Sequence, residues 1–245
     1  MFPSLNFGSL SVPTFFVWIS LVYCFLLWLS VTKAKYEKFP INTTLNISLI
    51  LMVFGFLGGR IVHILWEVPQ FYISQPIFVF YFWKGGFVFF GGLIFAVFAA
   101  WSYLKYKKLN FYKWADFFTP IAALGYALGR IGCFLNGCCY GKSCDLPWAI
   151  AGIHPTQLYA AFGELFIFSF LIYLARRSNE KYKKPGTLFL IWLNLHGFNR
   201  FIMEMFRDDY RGDYLLNLSL AQWFSIFLIM LTSIVISKNA EVSKS

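Results

Sequence analysis

Charged residues are scarce in this chain of 245 residues, and their scarcity excludes most classes of soluble protein. They make up 13% of the chain, against roughly 25% in an average soluble domain. Hydrophobic residues make up 59% and aromatic residues 22%. A soluble globular domain, a disordered protein, a coiled coil and a secreted disulfide scaffold are all disfavoured by this composition. It is typical of a membrane protein that crosses the bilayer several times.

Acidic residues are the scarcer of the two charged kinds, with 11 Asp and Glu against 21 Lys and Arg and a formal net charge of +10. In a soluble protein this excess would suggest nucleic acid as a partner. In a membrane protein it indicates orientation instead, because basic residues collect in cytoplasmic loops. We therefore expect no nucleic-acid partner. The start of the chain also lacks a basic segment before its first apolar stretch, which favours a retained span over a cleaved signal peptide.

Seven apolar stretches are long enough to cross a bilayer, which takes about 20 residues. They lie at about 11–32, 46–66, 86–104, 117–137, 157–175, 187–206 and 217–237. The connections after the first, third and fifth stretches and the C-terminal tail hold 14 Lys and Arg, whereas the opposite side holds Lys84, Lys142, Arg207 and Arg211. This split predicts an all-α protein of seven transmembrane helices in one membrane domain, residues 1–245, with the N-terminus outside and the C-terminus cytoplasmic.

The sixth stretch carries charges that are costly at membrane depth, about 2.5–3.5 kcal/mol each on insertion scales. His196, Arg200 and Glu204 are spaced four residues apart and Arg207 follows three residues later, so the spacing predicts one shared helical face. One interpretation is an Arg–Glu pair that neutralises itself and holds helices together. The other is a polar pocket for an anion, because this face has two arginines and one acid. Phosphate suits the planar fork of arginine.

Two further arginines lie within or near the ends of spans. Arg130 occurs near the exterior end of the fourth stretch, in GRIGCFLNGCCYG, and Arg60 ends FGFLGGR in the second. A lone arginine near a span end often snorkels to the interface. The setting of Arg130 favours ligand contact instead, because Gly129 and Gly132 allow close approach and Asn136 adds amide donors.

Four of the five cysteines form the pattern C-x4-CC-x4-C at Cys133, Cys138, Cys139 and Cys144. Outside the cytosol, a disulfide from Cys138 or Cys139 to Cys144 is favoured, or simple packing. Structural zinc sites use C-x2–4-C pairs and adjacent cysteines fit them poorly, so we expect no metal and no cofactor. A catalytic thiol is a lesser alternative, with Arg130 near enough in sequence to lower its pKa.

Five motifs occur in order within about residues 50–235: FLGGRIVHILW, WKGGFVFFGGLI, DFFTPIAALGYALGRIGCFLNGCCYG, HPTQLY and GFNRFIMEMFRDD. Together they resemble the prolipoprotein diacylglyceryl transferase family of integral membrane enzymes. Each motif is weak alone, but five in order are specific. The family also has seven spans with the N-terminus outside, as the distribution of basic residues predicts. The resemblance implies a multi-pass enzyme of the bacterial cytoplasmic (inner) membrane.

The reaction implied by the resemblance moves a diacylglyceryl group from phosphatidylglycerol, a membrane lipid, to the cysteine thiol of a prolipoprotein signal peptide. The family motifs are matched at Arg130, Gly132, Phe134, Asn136, Gly141, Arg200, Glu204 and Arg207. The chain departs from them where Cys133 stands for Asn, Cys138 for Glu, Phe90 for His, His196 for Tyr and Ala160 for Glu, with Glu164 one turn beyond.

The implied roles fall on eight residues. Arg130 and Arg200 stabilise the leaving phosphate, Glu204 orients Arg200, and His196 or Glu204 accepts the thiol proton. The predicted contacts with phosphatidylglycerol are Arg130, Asn136, Gly141, Arg60 and Arg207. Three alternatives stay open at this point: a family paralogue with another acceptor or lipid donor, a non-catalytic phospholipid-binding protein, and a redox or metal protein built on the cysteines.

Overall fold

Helices account for most of the structure, a computed structural model that describes residues 4–7, 10–82, 85–176, 184–208, 216 and 218–241. The helices are α1 (Thr14–Glu37), α2 (Ile41–Val62), α3 (Pro69–Ser74), α4 (Phe89–Tyr106), α5 (Phe111–Asn136), α6 (Thr156–Arg176), α7 (Thr187–Met205) and α8 (Leu220–Glu241). A π-helical turn, His63–Glu67, follows α2, and a 3-10 turn, Pro76–Phe80, follows α3.

A short hairpin, which the all-α prediction missed, precedes α1. Its antiparallel strands are β1 (Ser4–Phe7) and β2 (Leu10–Pro13), with Ser4 opposite Pro13. Each strand has only four residues, too few for the alternation of apolar and polar residues to stand out in a sequence this apolar.

Within the described ranges, six helices are long and apolar enough to cross a bilayer: α1, α2 with its π-helical turn, α4, α5, α6 and α8. The prediction of a helical protein with several membrane spans is confirmed at this level. The helix α7 has 19 residues and lies where the sixth stretch was predicted. It is less apolar because it carries Asn194, His196, Asn199, Arg200 and Glu204.

The seventh crossing and the orientation stay predictions. Of the basic residues on which the orientation rests, Lys84, Arg177, Lys181, Lys183, Arg211 and Lys244 lie outside the described residues. The chain divides into two compact units: a larger unit, formed by residues 1–23 and 112–245, and a smaller unit, formed by residues 24–111. The single membrane domain also stays a prediction.

In the smaller unit, α2 and α4 approach each other closely through glycines. A Cβ added to Gly58 would lie 2.7 Å from the carbonyl oxygen of Gly91, and one added to Gly92 would lie 2.7 Å from that of Gly55. Small residues let two helix backbones meet without side chains between them. These glycines are therefore required by packing.

Arg60 is the buried charge of the smaller unit, with 3% of its surface exposed. Its Nη2 donates to the carbonyl oxygen of Phe78 at 2.7 Å, and its Nη1 donates to those of Gly85 and Gly86. Its Cζ lies 5.4 Å from the ring centroid of Tyr72. The guanidinium thus donates to carbonyl groups of irregular backbone. Such groups are costly at membrane depth when they have no hydrogen-bond partner.

In the larger unit, two polar side chains fix α7 between its neighbours. The carboxylate of Asp116 in α5 accepts hydrogen bonds from the backbone N–H groups of Gly186 and Phe189, at 2.7 and 2.8 Å. A carboxylate at the start of a helix satisfies N–H groups that have no partner within it. Further along, Asn194 donates to Thr232 of α8 at 3.0 Å. The helix that carries most of the predicted site is therefore anchored at its start and along its length.

Candidate active site

Three arginines of the larger unit line one narrow cleft. Arg130 belongs to α5, Arg200 to α7, and Arg207 to the segment just beyond α7. The other lining residues are Cys139, Thr156, Gln157, Ala160 and Met203. No carboxylate is among the described residues that line the cleft, so its walls present positive charge to whatever enters. An anion is the ligand that this charge favours.

Arg200 is held by an acid one turn further along α7. Its Nη2 lies 2.6 Å from Oε2 of Glu204, and both side chains are buried. Ser219 donates from its hydroxyl to the other carboxylate oxygen at 3.1 Å. Ser219 also forms a capping box with Gln222 at the start of α8: its N–H donates to Gln222 Oε1 at 2.9 Å, and its hydroxyl accepts from the Gln222 N–H at 3.3 Å. The start of α8 therefore fixes Glu204, and Glu204 fixes Arg200.

Arg130 is held differently, by an aromatic residue one turn earlier in α5. Its Nη2 donates to the hydroxyl of Tyr126 at 2.7 Å, and its Cζ lies 4.8 Å from the centroid of that ring. In the part of the chain that the structure describes, Tyr126 is the only hydrogen-bond partner of this guanidinium, and no carboxylate pairs with it. A guanidinium has five N–H donors, so that of Arg130 can also donate to a ligand.

His196 is not among the described residues that line the cleft, and it pairs with an acid of α6. Its Nδ1 lies 3.1 Å from Oε2 of Glu164, and both residues are fully buried. Trp192 donates to Glu164 Oε1 at 2.7 Å, and Asn199 donates to Oε2 at 3.2 Å. The ring of His196 meets that of Tyr126 edge-on, with 4.6 Å between their centroids. A carboxylate on one ring nitrogen fixes the orientation and tautomer of an imidazole.

The spacing prediction is wrong for Arg207. The helix α7 ends at Met205, so Arg207 does not continue its helical face. It enters the cleft because its backbone pairs with Gly141 in an antiparallel bridge, next to a hydrogen bond from Lys142 N–H to the carbonyl oxygen of Phe206 at 2.9 Å. Beyond the end of α7, the position of Arg207 is therefore set by backbone pairing with a segment far away in the sequence.

Gly141 and Asn136 lie at the cysteine-rich end of α5. Gly141 donates from its N–H to the carbonyl oxygen of His154 at 3.1 Å, and an added Cβ would lie 2.7 Å from the carbonyl oxygens of His154 and Phe206. Close backbone packing is thus one reason for this glycine, and its contact with lipid stays a prediction. Asn136 is the last residue of α5, with its side chain beside the thiol of Cys138.

The HPTQLY motif holds the loop that follows α5. Thr156 donates from its hydroxyl to the carbonyl oxygen of Cys139 at 2.8 Å, and the amide of Gln157 donates to that of Cys138 at 2.7 Å. Both threonine and glutamine also line the cleft. The start of α6 therefore holds the backbone of the two adjacent cysteines, of which Cys139 lines the cleft.

The predicted disulfide to Cys144 is absent, and none of the five cysteines forms a disulfide. Cys144 instead belongs to a loop pairing in which its N–H donates to the carbonyl oxygen of Gly152 at 2.9 Å. The other three thiols form a cluster, Cys133, Cys138 and Cys139, with all sulfur atoms within 4.8 Å of one another. Hydrogen bonding with Cys133 and Cys138 lowers the pKa of the Cys139 thiol, and the cleft arginines lower it further.

Of the residues predicted from the sequence, Arg130, Arg200 and Arg207 line one cleft, and Glu204 pairs with Arg200. Several residues that position them were not predicted. Arg60 belongs to the smaller unit, where its N–H groups go to backbone carbonyls. The residues missed are Tyr126, Thr156, Gln157 and Ser219. Each of them carried a signal. Thr156 and Gln157 belong to the HPTQLY motif. Tyr126 lies four residues before Arg130, and Ser219 with Gln222 has the S-x-x-Q pattern of a capping box.

Comparison with known proteins gives one consistent family. The sequence model of prolipoprotein diacylglyceryl transferase matches residues 4–237. A phosphatidylglycerol–prolipoprotein diacylglyceryl transferase of Cupriavidus metallidurans is 33% identical over 190 residues, which cover 74% of this chain and 69% of that protein. The protein of the same name from Idiomarina loihiensis is 34% identical over 74% of this chain and 72% of its own. That from Clostridium tetani is 30% identical over 81% and 82%.

Proposed function

Because this chain belongs to the prolipoprotein diacylglyceryl transferase family, we infer that it transfers the diacylglyceryl group of phosphatidylglycerol to the cysteine thiol of a prolipoprotein signal peptide. The thiol sulfur forms a bond to a glyceryl carbon while the bond from that carbon to a phosphate-ester oxygen breaks. The thiol proton passes to a base, and the headgroup leaves as glycerol phosphate. The observation that carries the proposal is the cleft with three arginines and no described carboxylate on its walls.

Arg130 and Arg200 are the proposed stabilisers of the leaving group. Negative charge grows on the phosphate as the ester bond breaks, and fixed cations aimed at that charge lower the barrier. Arg130 is suited to this role because its fork has hydrogen-bonding capacity beyond Tyr126. Arg207, Asn136 and Gly141 are the further proposed contacts with the headgroup. Arg60 keeps this role only as a prediction from sequence.

Glu204 and His196 were both candidates for the base. We assign Glu204 a positioning role, because its carboxylate is already engaged by Arg200 and by Ser219. His196 is then the proposed acceptor of the thiol proton. Its Nδ1 is oriented by Glu164, which would also stabilise the imidazolium formed when the ring takes up a proton.

We further propose that α7 is the seventh membrane span, which restores the predicted topology with the N-terminus outside and the C-terminus in the cytoplasm. Polar residues in a span are tolerated where they pair within the protein. In α7, Arg200 pairs with Glu204, His196 with Glu164, and Asn194 with Thr232. The chain would then be a single membrane domain in the bacterial cytoplasmic membrane, with both substrates reaching the cleft from the lipid phase.

A transferase assay tests the proposal directly. The purified protein in detergent receives phosphatidylglycerol and a peptide with a lipobox cysteine, and release of glycerol phosphate is followed. We expect release with the cysteine peptide and none with its serine counterpart. No release, while a known transferase is active in the same detergent, would overturn the proposal. Phospholipid that is bound and recovered unchanged would then favour a lipid-binding protein.

A further inference from the structure

Three thiols that the proposed reaction does not use face one another, and one of them, Cys139, lines the cleft. The sulfur atoms of Cys133, Cys138 and Cys139 all lie within 4.8 Å of one another, and those of Cys138 and Cys139 are 3.7 Å apart. Two sulfur atoms bound at about 2.3 Å to one tetrahedral zinc ion are separated by about 3.8 Å. The cluster thus has nearly the dimensions of three corners of a tetrahedral metal site.

The backbone around these thiols is fixed before any metal arrives. Cys133 belongs to the last turn of α5, and the carbonyl oxygens of Cys138 and Cys139 are held by Gln157 and Thr156 of α6. Cys139 has a left-handed backbone conformation, with φ of 63°. A non-glycine residue in this region is strained, and such strain persists where surrounding contacts enforce it. The contacts from α6 therefore fix the backbone of the two adjacent cysteines.

Positive charge lies beside the cluster and would offset the negative charge of thiolates, which are the form that binds metal. Arg130 and Arg207 line the same cleft as Cys139. Binding of a divalent cation would release three protons and leave a complex of net charge −1, which the arginines offset.

We propose that Cys133, Cys138 and Cys139 bind a zinc-class divalent cation through three thiolates, with the fourth coordination position open towards the arginine cleft. Among the described residues, no other Cys, His, Asp or Glu side chain joins this group of ligands. Three protein ligands and one exchangeable position are the arrangement of a catalytic rather than a structural zinc site.

The open position suits the acceptor of the proposed reaction, and this part rests on the proposed function. The acceptor is a thiol, and a metal of this class binds thiols as thiolates. On binding, the S–H proton leaves to solvent or to the base, and the sulfur is held as a nucleophile beside the arginines. The metal would thus activate the acceptor where the arginines stabilise the leaving group.

Cobalt is the probe for the site, because Co²⁺ occupies zinc sites and reports its ligands by absorption. The full-length protein in detergent is reduced, stripped with a chelator and titrated with Co²⁺. We expect one ion per chain, with sulfur-to-metal charge-transfer absorption that Zn²⁺ abolishes. Cys133→Ser and Cys139→Ser should each weaken binding by more than the roughly 10–100-fold that loss of an outer-shell partner costs, because each removes a ligand. Cys24→Ser and Cys144→Ser, outside the cluster, should bind as the unmodified protein does.

Thermal unfolding of each variant separates loss of metal from loss of fold, and Cys138→Ser supplies a third variant if one of the others fails to fold. The affinity should fall as the pH is lowered, because protons compete with the metal for three sulfur atoms. Absence of thiolate absorption, or equal binding by the cluster variants and the controls, would overturn the metal site.

A peptide titration tests the open position. Adding the lipobox cysteine peptide to the Co²⁺ protein should strengthen the sulfur-to-metal absorption, and the serine peptide should leave it unchanged. Equal spectra with both peptides would overturn the acceptor role of the fourth position. Release of glycerol phosphate by protein that binds no Co²⁺ would overturn the metal site while the transferase function stands. Thiolate absorption without any release would overturn the function and leave the site.

Discussion

Arg60 in the smaller unit donates to backbone carbonyl groups of the segment after α3, whereas Arg130 in the larger unit donates to Tyr126 and has no described carboxylate partner. In sequence the two arginines look alike, since each follows a glycine within an apolar span. Burial does not separate a structural arginine from a functional one either, because Arg200 is as buried as Arg60. What separates them is where the N–H groups of the guanidinium point.

A second pair of residues repeats the contrast. In the smaller unit, His63 Nδ1 lies 2.5 Å from Glu67 Oε2 one turn away, at a partly exposed site. In the larger unit, His196 pairs at 3.1 Å with Glu164 of another helix, and both are fully buried. A pair within one turn forms wherever spacing allows it. A pair between helices exists only in the folded protein, and it can hold an imidazole in one orientation.

The largest effect is expected from the cleft. Arg130→Ala should lower transferase activity by about 10²–10³-fold, because it removes a cation from the developing phosphate charge. The unfolding temperature should stay close to that of the unmodified protein, since the hydrogen bond described for Arg130 is a partly buried one to Tyr126. Arg176→Ala, at the exposed far end of α6, is the matched control and should keep full activity. Near-normal activity of Arg130→Ala would remove the assignment.

The second largest effect is expected from the two histidines, whose substitution should change kcat to different extents. His196→Asn is expected to lower kcat by about 10²-fold or more, the usual contribution of a positioned base, with little change in KM for phosphatidylglycerol. His63→Asn is the control from the smaller unit and should keep kcat. Steady-state kinetics on both proteins check this. Equal kcat values for the two variants would show that His196 is not the base.

Arg60→Ala should act on stability rather than on chemistry. The substitution leaves buried carbonyl groups without a hydrogen-bond donor, and each unsatisfied group lowers the free energy of unfolding by about 1–3 kcal/mol. We expect a lower unfolding temperature in detergent, with activity falling only in proportion to the folded fraction. Lys105→Ala, an exposed cation of the same unit, should have neither effect. A well-folded Arg60→Ala protein with a raised KM for phosphatidylglycerol would instead support the lipid contact predicted from sequence.

The smallest effect is expected from Ser219, which acts on Arg200 through Glu204. Ser219→Ala removes a helix cap and one hydrogen bond to Glu204, a loss of about 1 kcal/mol. We expect activity to fall about fivefold and the unfolding temperature to drop by a few degrees, as about 1 kcal/mol implies. Ser237→Ala, near the other end of the same helix, is the control. Ser219→Thr, which keeps the hydroxyl, should restore the activity, and failure to do so would argue against the positioning role.

Much of the architecture was predictable because it depends on local patterns. Helices cover the central parts of all seven apolar stretches, since apolar composition over about 20 residues requires internal hydrogen bonding in a bilayer. The Arg200–Glu204 pair was predictable from its spacing of four residues. The position of Arg207 was not, because α7 ends before it and a backbone bridge to Gly141 replaces the helical geometry.

The sequence by itself determined the helical membrane class, the approximate helix positions, the family and the arginines worth testing, because hydropathy, periodicity and motif order are properties of short stretches. Only the tertiary structure decided that Glu164 pairs with His196 and that Ser219 donates to Glu204. It also decided that Arg60 donates to backbone carbonyl groups. It placed three thiols together, with Cys144 outside their cluster. These outcomes depend on contacts between segments far apart along the chain. No local pattern specifies such contacts, since they arise only when the packed helices bring the side chains together.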